Sequence, residues 1–533
     1  MDARLDELLT LVLDTHAAVE RHSRSFDADA HHALARRAAG ESVVLLKNDD
    51  ALLPLAEGAR VAVIGDFAET PRYQGAGSSA VNSIKVDTFL DCLNDSGLHS
   101  VGFAPGFDRQ GKPDAAKQAE AVALAAEADA VLLCLGLDEI KESEGLDRAD
   151  MKLADNQIEL LQAVREANPN TVVIVNAGAS LETPWLAHCK ALVYGTLGGQ
   201  AGAGAMVDVL TGKINPGGKL AETWANAYAD TPARDHFAGP GRTVQYREGL
   251  FVGYRYYQTA GVPVAFPFGH GLSYTQFVYS DLHADAHSAT LTVTNTGDRA
   301  GAEIVQLYVA KPNAEIFRPA QELKAFAKVQ LAAGESKTVT LTLDDKAFRY
   351  WNTRTDSWEV EGGTYELRVG ASSADIRLTA AVEVIGTDAL NPYAGKALPH
   401  YQSGKVQTVP DAEWETLLGR PIPDDRVKID RNMTLGELNH GRSPLGWLVW
   451  AVMTALLNAS YKKGKPDLNV LFQYNMPLRA LAKMTNGAIS MGMVDGIVME
   501  VQGFWVIGLV RVILEAVKNV ILNAQLENRL RNG

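Results

Sequence analysis

The sequence predicts a multidomain α/β plus all-β chain: a parallel-sheet α/β sandwich, then an antiparallel β-sandwich, then a mostly helical C-terminal tail. Three observations carry this. From Arg60 to Thr211, short continuous apolar runs alternate with helical stretches, the pattern of a parallel sheet covered on both faces. After Tyr254 the apolar residues fall at every second position, the period of half-buried strands in a sandwich. From about Leu390 a polar, proline-containing linker leads to apolar stretches of helical length. At 533 residues the chain is too long for one compact core.

In chain order, Leu5, Leu8 and Val12 are spaced as one face of an amphipathic helix with no partner nearby. A second helix is expected over Ala30 to Leu46, ending at Lys47-Asn48-Asp49-Asp50. Val61 to Ile64, Ala130 to Leu135, Thr171 to Val175 and Ala191 to Tyr194 read as buried strands. Pro113 to Glu127, Asn156 to Ala167 and Gln200 to Thr211 read as the helices between them. Asn156 with Glu159 has the form of a capping box, and Asn168-Pro169 stops that helix. Further on, Thr290 to Thr294, Ile304 to Val309, Thr338 to Leu343 and Tyr365 to Val369 alternate as strands, separated by turns such as Asn295-Thr296-Gly297 and Glu361-Gly362-Gly363. Pro444 to Leu457 and Gly503 to Val510 fall short of the roughly 20 apolar residues of a spanning helix, so both read as helices packed on another domain. Membrane contact is the disfavoured alternative.

A net charge of -14 argues against a nucleic-acid partner, which needs a basic surface to neutralise phosphates. The three cysteines lack metal-type spacing, and Cys134 lies in the apolar run Val131 to Leu135, where a buried reduced thiol is expected. Met1 to Leu13 has no basic segment followed by an apolar one, so a cytoplasmic location, or a true N-terminus lying elsewhere, is expected. His31-His32 cannot share a helix face, His188 is isolated, and no HExxH, paired CxxC or GxSxG pattern occurs. No cofactor or metal is expected.

The densest polar constellation runs from Asp138 to Arg148, directly after the strand Ala130 to Leu135. Loops leaving the carboxyl ends of parallel strands line the ligand crevice of such sheets. Five carboxylates in ten residues predict a raised pKa through like-charge repulsion, as a general acid requires; Arg148 opposes this for whichever group it touches. From composition alone a solvated acidic loop is the leading reading. Arg72-Tyr73-Gln74-Gly75-Ala76-Gly77-Ser78-Ser79 is a second candidate. Its Gly-x-Gly-x-x-Ala spacing invites a dinucleotide reading, but Asp66 to Tyr73 separates it from its strand. Small residues and hydroxyls that let the backbone approach a sugar fit better, and a plain turn fits equally well.

Together these residues resemble glycoside hydrolase family 3, the family of many β-glucosidases. The resemblance lies in Glu41 to Asn48, Tyr73 to Ser79, Glu142 to Arg148, Asn215 to Leu220, Gly249 to Tyr257 and Phe266 to Tyr274. Arg318 to Lys324 and Val369 to Leu378 are similar to the family's fibronectin type III-like domain. It implies a (β/α)8 barrel, then the α/β sandwich, then the fibronectin-like domain, with a retaining mechanism using a barrel aspartate and a sandwich glutamate. The glutamate of the family's Glu-Gly-x-Asp-Arg loop maps onto Glu144, with Glu142 as second choice. Ser78, Ser79 and Arg148 become candidate substrate-binding residues, and Asp147 with Arg148 is expected to hold the loop's shape.

The sequence departs from the family at its start. Neither a Ser-Asp-Trp-like nucleophile motif nor a barrel pattern of roughly 200 residues or more occurs. The expected organisation is therefore 1–24 as the last barrel helix and linker and 25–235 as the α/β sandwich. It continues with 236–277 as connector, 278–386 as the fibronectin-like domain and 387–533 as linker and helical tail. The expected function is that of a β-glucosidase-type hydrolase fragment holding the acid/base but not the nucleophile. Its substrate would be a small oligosaccharide or β-glycoside, with a barrel-bearing partner chain if the enzyme is split. A non-catalytic carbohydrate-binding or scaffold protein is the alternative.

Overall fold

The computed structural model describes residues 2–21, 25–239, 242–464 and 466–532. Helix α1 (Asp2–Arg21) buries none of its residues, and Leu5, Leu8 and Val12 stand about half exposed. Its apolar stripe therefore meets no core among the described residues. Helix α2 (Ala28–Ser42) is capped by the Asp27 carboxylate on the Ala30 amide and stops four residues before the predicted end. Val43 to Leu46 are all buried, which a helix with one inward face cannot achieve. They enter the sheet instead as strand β1 (Val44–Asn48).

The α/β domain continues with β2 (Arg60–Ile64), α3 (Phe89–Leu93), β3 (His99–Ala104), α4 (Ala115–Ala125), β4 (Ala130–Gly136), α5 (Asp155–Ala167), β5 (Thr171–Asn176), β6 (Ala191–Tyr194) and α6 (Gly202–Leu210). Sheet order is β1-β6-β5-β4-β2-β3, parallel throughout except for β1 against β6. Every residue of the central β4 is buried, as its unbroken apolar run requires. Strand β3 escapes sequence reading because it is an edge strand whose first two residues are polar and exposed. The capping box expected at Asn156 does not form. Asn156 is buried inside the first turn, and its amide donates to the carbonyls of Asp108 and Lys112 at 2.8 and 3.2 Å.

A connector follows, with β7 (Trp224–Ala225), α7 (Tyr254–Ala260) and β8 (Val264–Phe266). Trp224 is fully buried and packs edge-on against Tyr194 and Phe266, joining connector to sheet. The second domain comprises β9 (Phe277–Ala284), β10 (Ser288–Asn295), β11 (Gly301–Ala310), β12 (Glu322–Leu331), β13 (Ser336–Thr342), β14 (Arg349–Asn352), β15 (Ser357–Val360), β16 (Gly363–Gly370) and β17 (Ile376–Val384). Sheets β13-β10-β9 and β12-β11-β16-β17 enclose a core that includes Val293, Leu307, Tyr365 and Leu367, while β14 and β15 form a hairpin.

The tail holds α8 (Pro399–Ser403), α9 (Asp411–Leu418), α10 (Pro444–Tyr461), α11 (Leu468–Asn475), α12 (Leu478–Met484), α13 (Met491–Val501) and α14 (Trp505–Asn532). Leu398 and Tyr401 pack with Tyr256 and Tyr257 of the connector, whereas Met433, Leu478, Val494 and Val501 make a core within the tail. Helices α13 and α14 approach closely at glycines: a β-carbon on Gly508 would lie 2.6 Å from the Gly496 carbonyl oxygen. The two apolar stretches are helical, and the second runs much further than Val510. Their packing is within the tail, leaving Trp447 and Leu448 of α10 and Val506 and Leu514 of α14 at least half exposed. No helix among the described residues is long and apolar enough to cross a membrane.

Candidate active site

Strands β2, β4 and β5 are neighbours and parallel, so their carboxyl ends open on one edge. The glycine-rich segment follows β2, the acidic loop follows β4, and Gly178 to Ser180 follows β5. The crevice rule for parallel sheets thus brings together all the candidates chosen from sequence.

Arg72 ties the edge together. Its side chain is almost wholly buried, with one terminal nitrogen donating to the Leu137 and Asp138 carbonyls at 2.6 and 2.8 Å. The other donates to the Glu142 carbonyl at 2.7 Å and lies 3.5 Å from the Glu142 carboxylate. The glycine-rich segment is thereby fixed to the acidic loop. The one sign of this role in the sequence is an arginine at the head of a small-residue segment; its meeting with the acidic loop comes from the fold.

The acidic loop does not pool its charges. Asp138 caps the turn by accepting the Ile140 and Lys141 amides at 3.0 and 2.7 Å. Glu139 faces Arg109 at 3.7 Å, and Glu142 accepts the Gly178 amide at 2.9 Å besides meeting Arg72. Asp147 is exposed. Glu144 is also exposed, and its Oε2 accepts from both the amide and the hydroxyl of Ser78, at 2.6 and 2.5 Å. Its own amide donates to the Ala76 carbonyl at 2.9 Å. Gly77 is required here, since a β-carbon would lie 2.5 Å from the Glu144 β-carbon and the backbone sits at φ +131.

These contacts reverse one electrostatic expectation. Crowding was expected to raise the pKa of the acid/base candidate, but the Ser78 hydroxyl and then its amide hold the Glu144 carboxyl below the ordinary range. Asp138, Glu139, Glu142 and Glu144 each have their own partners, and the Ser78 bonds rather than like-charge repulsion set Glu144.

The remaining candidates divide. Ser78 is on Glu144, whereas Ser79 is exposed beside it. Arg148 donates to the Ser180 carbonyl at 3.2 Å, pinning the loop to the β5 edge, while its Nε and second terminal nitrogen are buried without a partner among the described residues. Burial pushes the Arg148 pKa down. The dinucleotide reading loses its structural basis: no helix opens at Gly75 or Gly77, and the next one starts at Phe89. No group of three metal-binding side chains occurs among the described residues. Cys134 is buried as expected, and burial pushes its thiol up to about 12.

The glycosyl hydrolase family 3 C-terminal domain matches residues 43–274. The chain carries the C-terminal domain of glycosyl hydrolase family 3. A fibronectin type III-like domain matches residues 303–373. Among curated relatives, an exo-α-(1→6)-L-arabinopyranosidase of Bifidobacterium breve is 44% identical over 408 residues, spanning 74% of this chain and 54% of its own length. The thermostable β-glucosidase B of Acetivibrio thermocellus is 43% identical over 379 residues, spanning 69% of this chain and 50% of its own length. The crystal structure of a Bifidobacterium adolescentis family 3 β-glucosidase superposes with a TM-score of 0.69 at 43% identity, covering 75% of this chain and 60% of that one. The chain thus spans about half the length of the curated relatives it matches. Among the described residues there is no eight-stranded parallel barrel.

Proposed function

We propose that this chain supplies the acid/base side of a retaining β-glycosidase site, with Glu144 as the acid/base residue. The supporting observation is the placement of its carboxylate. Of the loop's carboxylates Glu144 and Asp147 are exposed, and Glu144 is the one joined to the glycine-rich segment, with Ser78 as partner on Oε2 and Oε1 left without a protein donor among the described residues. Asp138, Glu139 and Glu142 are committed to the turn, Arg109 and Arg72 respectively.

In the retaining reaction a second carboxylate attacks the anomeric carbon while Glu144 gives its proton to the departing oxygen. Glu144 then takes a proton from the water that releases the glycosyl-enzyme. The attacking aspartate belongs to a (β/α)8 barrel, on this polypeptide or a partner, and the described residues by themselves carry no such half. Covering the sheet edge with a barrel removes water from Glu144 and brings a second carboxylate near; both effects raise its pKa from the depressed value set by Ser78. The substrate class is a β-glycoside with a terminal sugar that the barrel selects.

The test is leaving-group dependence in the chain reconstituted with a separately produced family 3 barrel. Glu144→Gln lowers turnover of methyl β-D-glucoside by about 10²- to 10⁴-fold, the usual worth of general acid catalysis. It leaves the first step on 2,4-dinitrophenyl β-D-glucoside nearly unchanged, because that leaving group departs without a proton. Equal losses on both substrates would refute the assignment, as would substantial turnover by the chain alone.

A further inference from the structure

The domain matches end at residue 373 and the cited relatives cover at most 75% of the chain, yet part of the tail lies against the acid/base loop. Leu471 of α11 is buried on the Gly145 turn, immediately after Glu144: a β-carbon on Gly145 would lie 3.0 Å from a Leu471 methyl. Gly464, which follows α10, is seated on the β3–α4 connection, where a β-carbon on it would lie 2.9 Å from the Gln110 amide nitrogen. Between tail and glycine-rich segment is a cavity of about 410 Å³. Tyr73, Ala76 and Ala80 form one wall, and Pro466 and Leu468 form the other. Its one carboxylate, Glu139, is turned to Arg109 at 3.7 Å.

We propose that the helical tail determines leaving-group specificity: Pro466 and Leu468 wall an open, mostly apolar cavity beside Glu144 that accepts the leaving group of the glycoside and favours apolar, ring-bearing ones. This rests on the reading of Glu144 as the acid/base residue. Such a residue lies within hydrogen-bond reach of the departing oxygen. Whatever is attached to that oxygen therefore starts at Glu144. The cavity wall and the carboxylate share the same two residues: the Ala76 carbonyl takes the Glu144 amide, and the vacant β-position of Gly77 is 2.7 Å from Glu144 Oε2. The cavity thus adjoins Glu144 through Ala76, Gly77 and Ser143, which line it. Its volume is that of a small-ligand pocket, and its lining rewards removal of apolar surface from water. Leu471 acts as a positioning residue, holding the Gly145 turn so that the loop presents Glu144 toward this space.

The experiment uses the full 533-residue chain with ¹³C-labelled leucine methyls, titrated with p-nitrophenyl β-D-glucoside and with methyl β-D-glucoside. These share the sugar and differ in the leaving group. The Leu468 and Leu471 methyls shift with the aryl glycoside and not with the methyl glycoside. Leu468→Gln, at a half-buried position, weakens aryl binding at least fivefold with an unchanged melting temperature and otherwise unchanged methyl spectrum. Equal responses to both glycosides, or full aryl affinity in a folded Leu468→Gln chain, would overturn the tail's role. The kinetics of Glu144→Gln in the reconstituted enzyme test the acid/base reading separately. Loss of leaving-group dependence there, with aryl-selective binding intact, overturns Glu144's role and leaves a plain aryl-binding cavity. Retained dependence without aryl selectivity overturns only the tail's role.

Discussion

Ser78 donates twice to a single oxygen of Glu144, through its amide at 2.6 Å and its hydroxyl at 2.5 Å. Both bonds favour the charged form, and the carboxyl is held below its ordinary range. Ser78→Ala removes the hydroxyl and keeps the amide, so the Glu144 midpoint rises toward the ordinary value without fully reaching it. A ¹³C-carboxyl NMR titration of the chain reads this directly, and an unmoved midpoint sinks the account. The sign for stability follows. A carboxyl with a depressed folded-state pKa adds stability above its unfolded pKa and loses it as pH falls through the folded value. Ser78→Ala is therefore less stable than wild type near neutrality, and the two converge in acid.

Arg72 is buried between the two loops and bonded to four carbonyls there, those of Gln74, Leu137, Asp138 and Glu142. Arg72→Ala leaves those acceptors and the Glu142 carboxylate without their cation, a loss of about 3 kcal/mol by the usual cost of breaking a buried charged network. Arg72→Lys recovers little, because one ammonium cannot reach acceptors spread over a guanidinium's width. Urea unfolding of the three chains gives the ranking; a loss under about 1 kcal/mol in Arg72→Ala would make the hub incidental.

Gly77→Ala brings a β-carbon against Glu144 at a backbone angle that side chains rarely adopt. The strain is about 1–3 kcal/mol, and relief comes from swinging Glu144 off Ser78. The variant is expected to raise the Glu144 midpoint and, in the reconstituted enzyme, to lower turnover without abolishing sugar binding. A wild-type midpoint in Gly77→Ala would mean that the loop accommodates the methyl elsewhere.

Trp224 is fully buried between Tyr194 of the sheet edge and Phe266 of the connector. Trp224→Ala opens a large cavity and is expected to cost about 3–5 kcal/mol. Thermal unfolding followed by near-UV circular dichroism reports it, since the loss should appear first in this aromatic cluster.

The outward faces of α10 and α14 carry Trp447, Leu448, Val506 and Leu514 at half exposure or more. Exposed apolar helix faces of this kind promote association. The chain is expected to scatter light increasingly with concentration, and Leu448→Lys with Leu514→Lys to suppress this while leaving the helical circular dichroism unchanged. Undiminished scattering in the double variant would place the association elsewhere.

Sequence alone determined the layers. Unbroken apolar runs such as Ala130 to Leu135 can be buried only inside a sheet covered on both faces, and alternation such as Thr290 to Thr294 only in a half-buried one. Order along the chain likewise put the acidic loop after β4 and the glycine-rich segment after β2. Three features were not legible. Strand β1 looked like the end of a helix because local propensity cannot see the antiparallel partner β6 that takes its backbone hydrogen bonds, nor the layers that bury Val44 to Leu46. The pKa of Glu144 depends on which donor reaches it, and Ser78 is brought there by the fold rather than by its place in the chain. The seating of Leu471 on Gly145 joins segments far apart in sequence. Composition lists charges and apolar residues, but only tertiary structure decides which donor meets which acceptor, because hydrogen bonds and packing act over a few ångströms of space.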